Sequence, residues 1–227
     1  MAISSGKKAR RAARENTDYA TTFKEVHPLN YIQETYLEAI ENNDIIFGMG
    51  PAGTGKTFLA ASYAAKQLFY KRINKIILTR PNIEVGRGLG FLPGELDEKY
   101  LPYLAPFEST FIKALGPGFY KHALESKNID PKPLGFMRGA TFENCICLVD
   151  EVQNMTKEEF KMILSRIGKN CKMIFSGDLS QADIKNSGLQ DAINRIEHIN
   201  GVEIVNFIED DIVRSKMCKS IIMAYKD

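Results

Sequence analysis

One octapeptide limits the folds open to this chain more than any bulk property does. Gly50-Pro51-Ala52-Gly53-Thr54-Gly55-Lys56-Thr57 stands between the apolar run Ile45–Met49 and the alanine-rich stretch Phe58–Tyr70. The spacing is that of a phosphate-binding loop, which requires a strand to enter it and a helix to leave it. Both flanks fit. Its glycines allow backbone angles closed to other residues, so that successive N–H groups converge on phosphate oxygens. The helix N-terminus adds partial positive charge. On this reading residues 50–55 form the cradle, Lys56 is a point charge for the β- and γ-phosphates, and the Thr57 hydroxyl is a ligand for Mg²⁺.

The remaining pattern agrees with that start. Lys75–Thr79, Cys145–Val149, Met173–Ser176 and Val202–Phe207 read as further short buried strands. Between them lie amphipathic helices: Asn30–Asn42, a stripe of Phe160, Ile163, Leu164 and Ile167 behind a Thr156/Glu159 capping box, Leu189–Ile196, and Ile212–Ala224. Short apolar strands alternating with such helices predict an α/β fold, a parallel sheet covered on both faces. The break in the rhythm is 81–141, which holds seven of the nine prolines and eight of the 17 glycines. It reads as an insertion on the rim of the sheet, with helical pieces at Glu95–Tyr100, Phe107–Leu115 and Phe119–Ser126. Tyr100, Tyr103, Phe107 and Phe111 within it could stack on bases. Their spacings of three and four fit a small helical core better.

Two more strand ends carry chemistry. Ile146–Val149 runs into Asp150-Glu151, and adjacent acids at a buried strand tip are costly unless a cation or a reacting group uses them. Asp150 suits a water-mediated hold on Mg²⁺, which dehydrates reluctantly; Glu151 suits a general base acting on water. Past Met173–Ser176 comes Gly177-Asp178-Leu179-Ser180-Gln181, where Gln181 is placed to sense a γ-phosphate. The alternative for Gln181 is an ordinary polar turn residue.

Together these segments resemble the PhoH-like ATPase family, itself similar to superfamily 1 helicases. The resemblance covers roughly 28–225. It rests on Gly50–Thr57, Leu78-Thr-Arg-Pro81, Leu89-Gly-Phe-Leu-Pro-Gly94, Asp150-Glu-Val-Gln-Asn154, Ser176-Gly-Asp178 with Gln181, and Asp211-Ile-Val-Arg214. It implies a three-layer RecA-like core with a five-stranded parallel sheet of order 5-1-4-3-2, and Mg²⁺-dependent ATP hydrolysis coupled to RNA or single-stranded DNA. It further implies that Gln33 recognises adenine, that Gln153 couples hydrolysis to a bound strand, that Arg80 and Pro81 face nucleic acid, and that Arg214 contacts phosphate. The residues themselves leave a solvent-facing helix position open for Gln33 and a plain surface cation open for Arg80. For Arg138 and Arg166 the surface reading is the better one.

A superfamily 1 helicase closes ATP between two cores, and this chain has room for one. A neighbouring copy would then supply the arginine for the transition state, Arg214 or Arg87 being the donor, in a homo-oligomeric ring with a hexamer among the sizes allowed. Two other classes stay open: an ATP-driven switch acting on a protein partner, and a P-loop kinase. Asp150-Glu151 and Gln153 disfavour the kinase, which must exclude water rather than activate it.

Charge and cysteine content remove other classes. Thirty basic against 28 acidic residues give a net charge of +2, so a strongly basic fold is excluded. Five basic side chains against Glu15 within residues 1–16 mark 1–27 as a basic, flexible arm ahead of a domain at 28–227. Four cysteines and three histidines offer neither a disulfide framework nor a zinc spacing. With no apolar run of membrane-spanning length and no secretory leader, a cytoplasmic location is expected.

Overall fold

The computed structural model describes residues 22–81, 96–214 and 217, with 96–104 described by their backbone alone. The basic arm up to residue 21, Arg87, the Leu89–Gly94 motif, the side chains of Tyr100 and Tyr103 and most of the expected final helix lie outside the described residues.

Six apolar segments form strands: β1 (Ile45–Met49), β2 (Lys75–Thr79), β3 (Ile129–Pro131), β4 (Cys145–Val149), β5 (Cys171–Gly177) and β6 (Val202–Asn206). Every pairing is parallel and the order is β3-β2-β4-β5-β1-β6. The five expected strands thus keep their expected order, and the correction is a sixth at the edge. Ile129-Asp130-Pro131 carries a charge and a proline within three residues, so periodicity does not reveal it. An edge tolerates both: proline needs no ladder N–H there, and Lys75 and Lys132 hold the Asp130 carboxylate at 3.2 and 2.7 Å.

Alternation along the strands builds two cores. Ile46, Ile76, Leu78, Ile146, Leu148 and Ile174 face α1 (Tyr31–Asn42), α2 (Lys56–Phe69), α3 (Leu96–Leu115) and α4 (Pro117–Glu125). Phe47, Ile77, Cys145, Cys147, Val149, Met173 and Phe175 face α5 (Lys157–Leu164) and α6 (Leu189–Ile196). The result is the expected three-layer α/β arrangement. The Thr156/Glu159 capping box that starts α5 is present in both directions.

The insertion departs from expectation in one respect. The part of the expected Glu95–Tyr100 piece from Leu96 onward and Phe107–Leu115 belong to a single helix, α3, which runs through Pro102 and Pro106. Pro106 is exposed while Phe107, Phe111 and Leu115 are buried at helical spacing. The apolar stripe is therefore continuous on the packed face, and a lost N–H bond falls on the solvent side.

Residues 22–27, which the sequence reading includes in the arm, pack on the domain. The Phe23 ring lies 5.8 Å from Phe69 and 6.2 Å from Tyr70, Glu25 pairs with Lys66 at 2.7 Å, and the Lys24 N–H donates to the Ala114 carbonyl at 3.4 Å. This strap crosses α2 and reaches α3.

Candidate nucleotide site

Strand order brings the ends of β1, β4 and β5 side by side. The Gly50 N–H donates to the Gly177 carbonyl at 3.0 Å, and the Asp150 N–H to the Thr79 carbonyl at 3.0 Å. The loop after β1 is held open by glycines at φ 130° (Gly50), 86° (Gly53) and 92° (Gly55). At Gly50 a Cβ would overlap the Phe207 carbonyl oxygen, and at Gly55 it would sit 2.8 Å from the Gln33 amide nitrogen. No larger residue fits either turn.

Inside the loop, the Lys56 ammonium donates to the carbonyls of Gly50 (2.5 Å) and Pro51 (2.8 Å) and to the Thr54 hydroxyl (3.2 Å). Burial pulls its pKa down to about 8, while Asp178, Asp150 and Glu151 oppose the fall. The Thr57 hydroxyl donates to Asp150 Oδ1 at 3.1 Å across 93 residues of chain. Burial, then the neighbouring Glu151 charge, push Asp150 up to about 6, against the pull of the Thr57 hydrogen bond. Thr57 Oγ1 and the Asp150 carboxylate are hard oxygen donors beside a phosphate-type loop, which is the donor set Mg²⁺ prefers.

Glu151 sits in the left-handed region at φ 56°, an uncommon place for a glutamate. Gln153, 1% exposed, explains how it is held there. The Gln153 amide nitrogen donates to Glu151 Oε2 at 2.6 Å, and its Oε1 accepts the Asp178 N–H at 3.1 Å. One side chain thereby clamps the tip of β4 to the tip of β5. Asp178 in turn accepts from the Ser180 N–H (3.0 Å), the Ser180 hydroxyl (2.7 Å) and the Gln181 amide (2.7 Å).

Gln33 is 2% exposed, on the inner face of α1. Its Nε2 donates to the Thr54 carbonyl at 2.9 Å and its Oε1 accepts the Leu29 N–H at 2.8 Å. The helix stripe of Ile32, Tyr36, Ala39 and Ile40 leaves it ambiguous; docking against the loop turns it inward. Arg214 lies against the loop of its own chain: a Cβ at Gly53 would be 2.9 Å from its Nε, and the Val213 N–H donates to the Gly53 carbonyl at 3.1 Å.

These groups line one cleft of about 880 Å³. Of the residues singled out from sequence, Gln33, Gly50, Ala52, Gly53, Gly55, Lys56, Thr57, Asp150, Glu151, Gln181 and Arg214 line it. Pro51, Thr54 and Gln153 do not. Thr54 is buried, its hydroxyl donating to the Pro51 carbonyl at 3.0 Å, and Gln153 lies behind Glu151, which it holds. Two further walls had no signal in the sequence. One is the strap, through Lys24, Val26 and His27; the other is α3, through Thr110 and Lys113, whose ammonium lies 5.7 Å from the Phe58 ring centroid. Asp178 was part of a recognised motif, but its role as the hub for Gln181 depends on the fold of the turn.

Comparison with known proteins agrees with this fold. The family described as PhoH-like protein matches residues 25–226. The chain is 41% identical over 201 residues to Protein PhoH of Escherichia coli (strain K12), covering 86% of this chain and 57% of that one. It is 42% identical over 196 residues to the PhoH-like protein of Bacillus subtilis (strain 168), covering 85% of this chain and 61% of that one. The chain thus spans about three-fifths of the length of these curated relatives. Among solved structures, the large terminase of a thermophilic bacteriophage shares the fold. Its TM-score is 0.53 at 11% identity, over 88% of this chain and 51% of the terminase.

Proposed function

The chain belongs to the PhoH-like protein family and is a P-loop NTPase by fold; from that and from its cleft we propose that it hydrolyses ATP with Mg²⁺, coupled to RNA or single-stranded DNA. The observation that carries this reading is the meeting of Lys56, Thr57, Asp150 and Glu151, from two separate strand ends, in one cleft. Mg²⁺ held by Thr57 and, through water, by Asp150 would draw charge from the phosphates. Lys56 leaves its loop carbonyls for phosphate oxygens, Glu151 takes a proton from the attacking water, and Gln153 keeps Glu151 aimed. Gln181, tethered to Asp178, senses the γ-phosphate, and Gln33 offers its remaining amide proton to the adenine edge.

Arg214 fits a phosphate contact within its own chain, since it lies against Gly53 of that chain. An arginine acting on a neighbour's nucleotide then comes from elsewhere, Arg87 in the insertion being the one we favour, in a homo-oligomeric ring. Among the described residues no helix is long and apolar enough to cross a membrane. The free thiols of Cys145, Cys147 and Cys171 suit a reducing compartment such as the cytoplasm.

Phosphate release with and without single-stranded RNA or DNA tests the reading. Stimulation by a strand is expected, and hydrolysis indifferent to any strand would favour a switch acting on a protein. Glu151→Gln should keep ATP affinity and slow turnover at least about 10²-fold, the scale of a lost general base. Unchanged turnover would remove Glu151 from the mechanism.

A further inference from the structure

The phosphate loop occupies one end of the cleft; the other end is built from α2, α3 and the strap. Just past Thr57, α2 contributes Phe58 and, one turn later, Ser62, and both line the cleft. Ser62 is 4% exposed, and its hydroxyl has no hydrogen-bond partner. From α3 come Thr110, also 4% exposed, and Lys113, three residues on and therefore on the same helix face. The Lys113 ammonium lies 5.7 Å from the Phe58 ring centroid. A ring face orients a cation without neutralising it.

The two ends differ in charge. Asp150, Glu151 and Asp178 stand at the loop end, joined to Thr57 and Gln153. At the α3 end the cleft is lined by Lys24 and Lys113, and neither forms an ion pair among the described residues. The Lys24 N–H donates to the Ala114 carbonyl, so the strap enters the cleft beside the residue that follows Lys113. Among the described residues the acid lining this end is Glu25, which Lys66 holds at 2.7 Å. Lys56 and the start of α2 serve the phosphates at the loop, so a triphosphate alone leaves these cations and the Ser62 hydroxyl unused. Ser62 lies five residues beyond Thr57, about 7.5 Å along the helix axis. The two ends are thus close enough to hold parts of one nucleotide.

We propose that the α3 end of the cleft is a second phosphate subsite, which takes a phosphate ester carried on the ribose of the nucleotide bound at the loop. Ammonium and hydroxyl groups both donate to phosphate oxygens, and Lys24, Lys113, Thr110 and Ser62 supply them from three separate segments. With the triphosphate at Lys56 and the base read by Gln33, the ribose hydroxyls are the positions left from which an anion can extend to this wall. The inference rests on the ATP-binding half of the proposed function and names a substrate class for it, a nucleoside 5′-triphosphate that is also esterified at its 3′ position. Two sources share that chemistry: a free 3′-phosphorylated nucleotide and the 5′-triphosphate end of an RNA strand.

Calorimetric titration of the full chain with Mg²⁺ and non-hydrolysable forms of ATP and of 3′-phosphorylated ATP tests the subsite. The 3′-phosphate should raise affinity about tenfold, the low end for hydrogen bonds to a charged group. In the double variant Lys24→Gln/Lys113→Gln the ratio of the two affinities should fall below about twofold. The control Lys121→Gln/Lys161→Gln, which removes two exposed charges outside the cleft, should keep the ratio. A variant that only folds less well loses both affinities together and leaves their ratio intact. A 5′-triphosphorylated oligoadenylate, set against the same strand with a 5′-hydroxyl, identifies the source. If its triphosphate-dependent binding also falls in the Lys24/Lys113 double variant, the subsite takes strand ends; if only the 3′-phosphorylated nucleotide responds, it takes free nucleotides. A wild-type chain that binds ATP but gains less than about twofold from the 3′-phosphate, with strand binding indifferent to the lysine pair, overturns the subsite and leaves the functional reading standing. So does an advantage that survives in the double variant. If the wild-type chain binds no ATP, the nucleotide reading fails and takes this subsite with it.

Discussion

At Asp150 the site carries a burial cost that protonation relieves and that a bound cation would offset. The carboxyl is buried beside Glu151 and its pKa stands at about 6. A raised pKa means that the folded chain binds more protons than the unfolded one between roughly pH 4 and 6. Metal-free stability should therefore fall as pH rises through that window, and the penalty is complete above it. Asp150→Asn removes the group. In EDTA its melting temperature should exceed that of the wild type at neutral pH, and the gap should close below about pH 4. A gap that does not change with pH would show that burial does not hold the Asp150 carboxyl partly protonated. Lys56 behaves in the opposite sense: burial lowers it to about 8, so its cost is present below that pH and is relieved above it. The two groups face one cleft with opposite charge, and a magnesium–triphosphate would complement both. Lys56 and Asp150 were legible in the sequence because each follows an apolar run by a fixed number of residues. Gln153 was legible as a residue but not as a clamp, since its partners Glu151 and Asp178 meet only when β4 and β5 pair.

Elements tell the same story at longer range. α5 starts where Thr156 and Glu159 cap each other, a signal contained in four consecutive residues. Thr156→Ala should lower stability by about 1 kcal/mol, read from the urea midpoint at unchanged slope. A loss near zero would mean that packing of Phe160 and Ile163 alone defines the helix start. By contrast, α3 could not be read as one helix, because Pro102 and Pro106 both signal a break. Its continuity depends on burying Phe107, Phe111 and Leu115 against the sheet, and that contact overrides local preference. β3 is the mirror case. Three residues with a proline carry no periodicity, and pairing with β2 makes them a strand.

For the molecule as a whole, the strap at residues 22–27 joins the cleft to the outer helices. It lines the cleft through Lys24, Val26 and His27 and is fixed by Phe23 on α2 and by the Glu25–Lys66 pair. A chain beginning at residue 22 should melt and bind ATP analogue like the full chain, whereas one beginning at 28 should lose both stability and nucleotide affinity. The ion pair lies in solvent, where screening and side-chain entropy leave it little net worth. The larger share of the loss should come from burial of Phe23 and Val26. Equal affinity of the two truncations would show that the strap is only a cover.

Sequence alone determined what depends on near neighbours: the loop between β1 and α2, the acids at the end of β4, the five principal strands and the cap of α5. These rest on backbone angles and on periods of a few residues, which the chain carries wherever it goes. Tertiary structure alone decided that Thr57 meets Asp150 across 93 residues, that Gln33 turns inward to the Thr54 carbonyl, and that α3 walls the cleft. Each of these depends on which strands lie side by side, and strand order is set by the burial of whole faces rather than by any local run of residues.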